Sequence, residues 1–419
     1  MNDYAAQTRI LQSQNDQFGA TQFPLYLNSA FAYENPADLE KVFAGQKFGY
    51  IYGRIQNPTL MNIERKIAAI TGGRGAVLTA TGMAAISGAV LTLASAGDTI
   101  IAHRAIFGGT IALFDRLFSK LGLNVAYTNF HDSEALRRVV KNTPSAVLLF
   151  CESMGNPALD LQDLETVTAI AEEKNLPVFL DSTLTPPGFL DLSPAPVALE
   201  MHSSTKFMAG NNTVLGGALI DKGTYDWTQS RDPVLQDFSA RFGKDNAFLA
   251  SFRYQALQNL GMTQQPAAAA LTGFSLETMH LRVERQFENA KYLAEYLVQQ
   301  LGEDAVHYPG LKSSPYYTRV VKYMPHGGGA LITIDFGSKE RAFSFGKALK
   351  LVRNMTNLGD SRTLAVHPAS TIFRDSSEQK KKEAGVTPGM LRISLGLEDI
   401  EDLKADFSQA LECADKTFV

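Results

Sequence analysis

The chain has 419 residues, 45% of them hydrophobic and 20% charged, with 39 Lys and Arg against 43 Asp and Glu. This composition predicts a large folded core, and it lacks the basic excess that a nucleic-acid partner requires. The two cysteines cannot form a disulfide framework or a Cys-rich metal site, and no apolar segment is long enough for a signal peptide or a membrane span. We therefore expect a soluble cytoplasmic protein.

Residues 1–60 are rich in Tyr, Phe, Asn and Pro and show no helical period, which predicts an N-terminal arm. From residue 61 onward, short β-rich runs alternate with helical stretches such as residues 164–174. The predicted strands are residues 76–80, 98–102, 145–150, 177–181 and 197–202. This alternation is typical of an α/β fold with a mostly parallel central sheet, which we assign to a large domain over residues 61–255.

Beyond residue 255 the pattern changes to one long helix followed by strands. The helix is predicted over residues 280–301, with apolar positions at Phe287, Ala290, Leu293 and Leu297. A strand is predicted within residues 328–336. We assign residues 256–419 to a smaller α+β domain.

Several common sites are excluded by their motifs. A dinucleotide fingerprint begins at Gly73 and Gly75, but its third glycine would fall at Leu78. No phosphate loop and no nucleophile elbow are present, and none of the seven histidines has metal-ligand spacing. We therefore predict no metal.

Three signals remain at the carboxyl ends of predicted strands, where open α/β sheets bind ligands. Gly82 and Met83 join a strand to an Ala-rich helix whose N-terminus favours an anion, although a tight turn alone would explain the glycine. Asp181 ends a buried strand, either as a helix cap or as the partner of a cation. Lys206 follows another strand, either as a surface lysine or as a desolvated amine nucleophile.

Together these signals meet the needs of pyridoxal 5′-phosphate. Its phosphate needs hydrogen-bond donors, its ring nitrogen needs a carboxylate, and its aldehyde needs an amine. Lys206 would form the Schiff base, and the hydroxyls of Ser203 and Thr205 would bind the phosphate.

The sequence around Lys206, "SSTKFMAG", resembles the cofactor-lysine motif of the Cys/Met-metabolism pyridoxal-phosphate enzymes. The resemblance extends over nearly the whole chain through "YGRIQNPT", "ATGMAAISG", "ESMGNPALD" and "HPAST". Within the family, "NLGDSRTLAVHPAST" and "AGVTPGMLRISLGLEDIEDL" look most like the O-acetylhomoserine sulfhydrylase branch. The resemblance implies fold type I, as in aspartate aminotransferase, and methionine biosynthesis by γ-replacement with sulfide or a thiol.

The resemblance also implies roles for individual residues. The phosphate site is matched by Gly82, Met83, Ser203 and Thr205. The carboxylate that binds the ring nitrogen is matched by Asp181, and the group near the 3-hydroxyl is matched by Asn156. Two positions match substrate-binding residues, namely Asn357 and Arg392, and Arg392 would bind the α-carboxylate. Tyr52 and Arg54 match a pair that reaches the phosphate site of a neighbouring subunit, with Tyr52 also near the substrate. A homotetramer built from catalytic dimers is therefore expected. Without the motif, Arg392 would read as a solvent-facing strand residue.

One departure from the family bears on the reaction. At the position of Phe107 the family has a tyrosine. That tyrosine stacks on the cofactor ring and can serve as an acid or base. Phe107 retains the stacking surface but has no hydroxyl. Because carboxylate leaving groups depart without protonation whereas thiolates benefit from an acid, we expect an acylated homoserine to be the better substrate. Methionine γ-lyase is the alternative within the family.

Asn211 replaces a usual His, and Ile372 and Phe373 replace a usual Thr-His pair. These changes leave open a reshaped substrate entrance and another nucleophile, such as a carrier-bound sulfur or a carbon acid. The leaving acyl group is not determined by the sequence. A hypothesis from a different class is a non-catalytic relative that acts as a binding module, which we would expect to have lost Lys206 or Asp181.

Overall fold

The computed structural model describes residues 4–11 and 18–416. In chain order, the strands are β1 (Gly75–Thr79), β2 (Thr99–His103), β3 (Asn124–Thr128), β4 (Ala146–Glu152), β5 (Val178–Asp181), β6 (Leu199–His202), β7 (Gly217–Asp221), β8 (Val306–His307), β9 (Leu331–Asp335), β10 (Arg353–Asn354), β11 (Leu364–Val366) and β12 (Met390–Ser394). All five strands predicted from residues 76 to 202 are confirmed.

The helices of the described residues are α1 (Ala6–Leu11), α2 (Pro36–Phe43), α3 (Pro58–Thr71), α4 (Gly82–Leu93), α5 (Gly108–Ala112), α6 (Ser133–Asn142), α7 (Leu164–Glu172), α8 (Pro233–Phe242), α9 (Ala247–Phe252), α10 (Pro266–Leu276), α11 (Met279–Leu301), α12 (Tyr317–Tyr323), α13 (Lys339–Ala348), α14 (Glu378–Glu383) and α15 (Ile400–Lys416). The predicted helices over residues 164–174 and 280–301 are confirmed as α7 and α11. No helix of the described residues is long and apolar enough to cross a membrane.

The chain divides into two compact units whose segments alternate along the sequence. The first unit comprises Met1–Ser95, Ala198–Thr205 and Thr213–Glu277, and the second comprises Ala96–Val197, Lys206–Asn212 and Thr278–Val419. The boundaries near residues 60 and 255 stay predictions.

In the first unit, three strands pair antiparallel in the order β1-β7-β6. Helix α3 packs against β1, and α4 packs against β6 and β7. The start of α3 follows from its sequence, because the Asn57 side chain accepts a hydrogen bond from the Thr59 N–H and Pro58 fits the first turn. The α3 helix ends at Gly72, which has a φ of 65°.

In the second unit, four parallel strands pair in the order β5-β4-β2-β3. Strands β2 and β4 are almost wholly buried, which explains why they read as continuous apolar runs in the sequence. The carboxyl ends of β4 and β5 lie in register, with Glu152 of β4 opposite Asp181 of β5. The prediction of a mostly parallel central sheet is confirmed.

The C-terminal part of the second unit is a separate α+β layer. Its strands follow the order β10-β11-β12-β9-β8, and helices α11, α13 and α15 pack on one another or on these strands. The predicted apolar face of α11, formed by Phe287, Ala290, Leu293 and Leu297, is buried. The predicted smaller C-terminal α+β region is therefore confirmed, and β12 carries Arg392 at its centre.

Candidate active site

Lys206 begins a turn that α11 holds in place. The Gly210 N–H donates to the Lys206 carbonyl at 2.8 Å, which closes the turn. The guanidinium of Arg282 donates to the carbonyls of Phe207 at 3.1 Å and Met208 at 3.4 Å. The lysine is thus anchored through main-chain contacts to a 23-residue helix.

Two glycines allow neighbouring segments to approach this turn. Gly210 has a φ of 67°, and a Cβ there would collide with the Arg282 guanidinium. Gly359 has a φ of 68°, and a Cβ there would lie 2.8 Å from the Phe207 nitrogen. Both positions combine positive φ with close approach, so a larger residue would displace the lysine turn.

The Lys206 amine lies in a desolvated, positively charged environment. Its Nζ donates to the Asn357 Oδ1. Burial, reinforced by the charge of Arg392, lowers the pKa of Lys206 to about 8. This lowered pKa gives the amine a larger neutral fraction near neutral pH than an ordinary lysine has, which is the property that an amine nucleophile needs.

Arg392 is 3% exposed rather than solvent-facing, and it is positioned by two asparagines. Its Nη1 donates to the Asn156 Oδ1 at 2.8 Å, and its Nη2 donates to the Asn357 carbonyl at 3.0 Å. Its Nε is buried without a partner among the described residues. Burial lowers the pKa of Arg392 to about 10, so the group stays charged at neutral pH and can bind a carboxylate.

Asn357 is the centre of a hydrogen-bond chain that sequence reasoning only partly anticipated. Its Nδ2 donates to the Asn212 Oδ1, and the Asn212 amide donates to the Asp360 carboxylate. Asp360 is itself buried. The chain therefore runs from the Lys206 amine to a buried carboxylate, with each amide both accepting and donating. No sequence signal singled out Asn212 or Asp360.

Asp181 and Phe107 both lie near Glu152 of β4. The Asp181 carboxylate accepts the Thr183 N–H at 2.9 Å, a local turn contact that matches the capping alternative, and it makes further interactions. The Phe107 N–H donates to the Glu152 Oε1 at 2.5 Å. Phe107 is 36% exposed, which leaves part of its ring free to stack on a ligand. Glu152 was not predicted.

Phe107 also lines a groove of about 470 Å³ whose other wall includes Ile372. Phe373 does not line this groove, because its side chain is fully buried beside Ala384 and Val386. Of these two departures from the family, Ile372 is therefore the one that contacts the groove. The third departure, Asn211, is exposed.

In the first unit, α4 begins at Gly82, the position where the sequence predicts an anion site. The Thr81 side chain caps the helix by accepting the Ala84 N–H at 3.0 Å, and Gly82 and Met83 supply the first N–H groups of the helix. A Cβ on Gly82 would lie 3.0 Å from the Ser203 Cβ. Gly82 and Ser203 are therefore in contact, and only a small residue fits at position 82.

The remaining predicted residues of the first unit have different surroundings. The Thr205 hydroxyl exchanges hydrogen bonds with Gly216, accepting its N–H at 3.0 Å and donating to its carbonyl at 3.3 Å. Tyr52 and Arg54 are exposed, and the guanidinium lies 5.3 Å from the Tyr52 ring centroid. This pair forms a cation–π contact at the surface.

The structure also brings together His103, His131 and Asp160, which their spacing in the sequence did not indicate. His103 Nδ1 accepts the Phe130 N–H at 3.0 Å, so the Nε2 of this neutral imidazole carries the proton. His131 Nδ1 faces Arg319 at 3.1 Å, and its Nε2 lies 2.6 Å from the Asp160 carboxylate. With both Nε2 atoms protonated, the Asp160 carboxylate accepts the His131 N–H, and the His103 Nε2 lies 3.8 Å from the same carboxylate.

Asp160 stays ionised in this cluster. Its pKa is lowered to about 2 because its interactions with the His103 and His131 imidazoles outweigh its burial. Burial lowers the pKa of His103, which keeps that imidazole neutral. The cluster holds the segment that begins at Gly155, since the Gly155 N–H donates to the Asp160 carbonyl at 2.9 Å.

The family model described as Cys/Met metabolism PLP-dependent enzyme matches residues 6–412. O-acetyl-L-homoserine sulfhydrylase 1 of Thermus thermophilus is 37% identical over 404 residues, covering 93% of this chain and 95% of the relative. Homocysteine synthase of Schizosaccharomyces pombe is 33% identical, covering 93% and 94%.

Two solved structures are similar over most of the chain. A candidate O-acetylhomoserine (thiol)-lyase of Campylobacter jejuni, which carries N′-pyridoxyl-lysine-5′-monophosphate, has a TM-score of 0.89 and 30% identity over 98% of this chain and 100% of its own. O-acetylhomoserine sulfhydrylase of Wolinella succinogenes has a TM-score of 0.76 and 36% identity over 86% and 99%. The predicted fold type I architecture is confirmed.

Proposed function

The chain belongs to the family of Cys/Met metabolism enzymes that depend on pyridoxal phosphate, and from this membership we propose that it catalyses γ-replacement on an O-acylated homoserine. In the preferred reaction, sulfide replaces the acetoxy group at Cγ of O-acetyl-L-homoserine: the Cγ–O bond breaks, the Cγ–S bond forms, and the products are homocysteine and acetate. The observation that carries the proposal is the buried Arg392 guanidinium, linked through Asn357 to the desolvated Lys206 amine. This arrangement can bind an amino-acid carboxylate beside an amine nucleophile.

The described residues fit pyridoxal phosphate. Lys206 would bind its aldehyde, Asp181 its ring nitrogen and Asn156 the region of its 3-hydroxyl, while Phe107 would stack on the ring. The phosphate would be bound by the first N–H groups of α4 at Gly82 and Met83 and by the hydroxyls of Ser203 and Thr205. These assignments are supported by the lowered pKa of Lys206 and by the close approach of position 82 to Ser203, where an added Cβ would lie 3.0 Å from the Ser203 Cβ.

The bound cofactor supplies an electron-withdrawing ring that allows a proton to leave the substrate Cα and the γ-substituent to be expelled. Lys206 then carries protons among the carbon atoms of the substrate, a task suited to an amine whose pKa is about 8. Arg392 holds the α-carboxylate, and Asn156 and Asn357 fix the orientation of its guanidinium. Asp181 keeps the ring nitrogen positively charged.

Phe107 favours acylated substrates over methionine and cystathionine. A carboxylate leaves without help from an acid, whereas the side chain at position 107 has no hydroxyl to protonate a departing thiolate. We expect O-acetylhomoserine with sulfide to be turned over at least about 100-fold faster than methionine or cystathionine, the lower end of the contribution of a general acid. O-succinyl- and O-phosphohomoserine, tested with and without sulfide, would identify the leaving group.

Phe107→Tyr tests the explanation directly. We expect this variant to gain lyase activity on methionine and cystathionine, because a hydroxyl is restored beside the leaving group, while acylhomoserine turnover changes little. Leu117→Ala, an exposed change on the segment that follows α5, serves as the control. Equal turnover of methionine and O-acetylhomoserine by the wild-type enzyme would contradict the proposal.

We further infer a homotetramer of catalytic dimers in the cytoplasm. The exposed pair Tyr52 and Arg54 supports a role at the phosphate site of a neighbouring subunit, since the side chains are free to extend from their own chain. Cys151 and Cys413 form no disulfide in the structure, which fits a reducing compartment. Sedimentation analysis of the purified protein would test the tetramer.

A further inference from the structure

Glu152 is a buried carboxyl group at the carboxyl end of the parallel strands. It is the last residue of β4, stands opposite Asp181 of β5, and is 3% exposed. The reaction described above assigns it no step.

The Glu152 carboxyl joins two segments that carry predicted cofactor contacts. Its Oε1 accepts the Phe107 N–H at 2.5 Å, and the Asn156 N–H also donates to the carboxyl. Phe107 precedes α5, and the Asn156 side chain receives the hydrogen bond from Arg392. One carboxyl group therefore fixes the main chain at both residues.

The groups around Glu152 disfavour its negative charge. Burial removes it from water, and Asp181 and then Asp160 add negative charge, so its pKa is raised well above the ordinary value despite the two N–H donors. The Cys151 thiol adjoins it in the chain, and its pKa is raised as well. Its Oε2 is buried without a hydrogen-bond partner among the described residues. An unpaired buried oxygen is better tolerated as part of a neutral acid than of a carboxylate.

Of the two carboxyl groups, Glu152 and Asp181, the one expected to carry the negative charge is Asp181. It accepts the Thr183 N–H and is less buried than Glu152. Two neighbouring carboxyl groups rarely ionise together when one of them is buried, so the proton resides on the more buried group, Glu152.

We propose that Glu152 is held as a neutral carboxylic acid and acts as a positioning residue for Phe107 and Asn156 through their main-chain N–H groups. The functional meaning of those two residues rests on the proposed function, whereas the protonation of Glu152 does not. Because an N–H donor needs an acceptor oxygen but no charge, Gln can replace Glu152, and Ala cannot.

Infrared difference spectroscopy of the holoenzyme tests the protonation. At neutral pH, wild type minus Glu152→Gln should contain the carbonyl stretch of a protonated carboxyl group, and this band should disappear on raising the pH. A difference spectrum with only carboxylate bands would overturn the proposal. This result is independent of which substrate the enzyme uses, so it separates a failure here from a failure of the proposed function.

Cofactor affinity tests the positioning role. We expect Glu152→Ala to bind pyridoxal phosphate at least about tenfold more weakly, the effect of leaving buried N–H donors without an acceptor, and Glu152→Gln to stay close to wild type. Equal weakening in both variants would show that the charge is required and would refute the neutral acid.

The pH dependence of unfolding gives a second measurement should Glu152→Ala fail to fold. In the folded protein, Glu152 keeps its proton above the ordinary Glu pKa of about 4.3, whereas in the unfolded chain Glu152 loses that proton. Wild type should therefore lose stability relative to Glu152→Gln as the pH rises above about 4.3, until the raised pKa of the folded state is reached. A difference independent of pH would contradict the proposal.

Discussion

The predicted site residues of the two units differ in how buried they are and in how many hydrogen bonds they make within their own unit. In the second unit, Lys206, Asn357 and Arg392 form one hydrogen-bonded group in which both cations are desolvated. In the first unit, Tyr52 and Arg54 are exposed, and the start of α4 offers main-chain N–H groups. The proposed reactive amine is thus desolvated by burial, whereas the proposed anion-binding elements are a helix terminus and side chains that extend into solvent.

Lys206→Ala should have the largest effect on activity, because it removes the proposed nucleophile from the second unit. We expect turnover to fall by more than about 10³-fold, since proton transfer by a positioned group alone contributes roughly 10²–10⁴-fold. The yellow absorbance of the covalently bound cofactor should disappear as well. Lys141→Ala, an exposed change at the end of α6, should keep both properties. A Lys206→Ala variant that stays yellow and active would refute the assignment.

Arg392→Ala should have the next largest effect. Removing a buried, hydrogen-bonded cation that binds a carboxylate should lower kcat/KM for the acylhomoserine by about 30-fold or more. Arg392→Lys should recover only part of this loss, because an ammonium cannot form the planar two-pronged contact.

Arg353→Ala is the matched control for Arg392, because Arg353 is an exposed arginine in the same group of strands. Steady-state kinetics at varied acylhomoserine concentration separates substrate binding from turnover. Similar losses in Arg353→Ala and Arg392→Ala would remove Arg392 from the site.

Mixing two inactive variants tests whether Arg54 of the first unit acts in a neighbouring subunit. Reassociation of Lys206→Ala with Arg54→Ala should restore about one quarter of wild-type activity, because half of randomly paired dimers contain one intact site. Lys206→Ala mixed with Arg392→Ala should stay inactive, since both lesions lie in the second unit and every site retains one of them. Failure of the first mixture to regain activity would place Arg54 within its own subunit.

The smallest expected effect concerns stability without the cofactor. Lys206 has a folded pKa of about 8, below its ordinary value of about 10.4, so its charge destabilises the folded apoprotein below pH 8. Lys206→Met should be more stable at pH 7 by on the order of 1 to 2 kcal/mol, allowing for partial solvent screening. The difference should shrink as the pH rises from about 8 toward 10.4.

Chemical denaturation across this pH range measures the Lys206 effect. Lys141→Met, at an exposed position, should show no such trend. A stability difference between Lys206→Met and wild type that stays constant from neutral to alkaline pH would mean that the amine is not desolvated.

Sequence reasoning located the strand ends and turns that carry the proposed site residues, because these features depend on local patterns. The strand predicted at residues 76–80 is Gly75–Thr79, and the turn after it begins α4 at Gly82 as expected. Lys206 and Asp181 were singled out as candidates because each follows or ends an apolar run, and their roles stay predictions. Such features depend on a few neighbouring residues, so their periodicity is visible without the fold.

The sequence could not predict contacts between distant segments. The Lys206 partner Asn357 is 151 positions away, and Asn156 is 236 positions from Arg392. Glu152 gave no signal, because its partners are main-chain N–H groups, which any residue supplies. Phe373 departs from the family pattern, yet its side chain belongs to a small apolar cluster and does not line the groove.

Asn357 serves Lys206 and Arg392 through chemically distinct parts of one residue. The lysine contacts its side-chain oxygen, whereas the guanidinium contacts its main-chain carbonyl. Any amino acid introduced at position 357 would keep the carbonyl and change only the amide. A saturation library at this codon therefore offers an engineer a way to tune the basicity of the amine while the arginine keeps its main-chain acceptor.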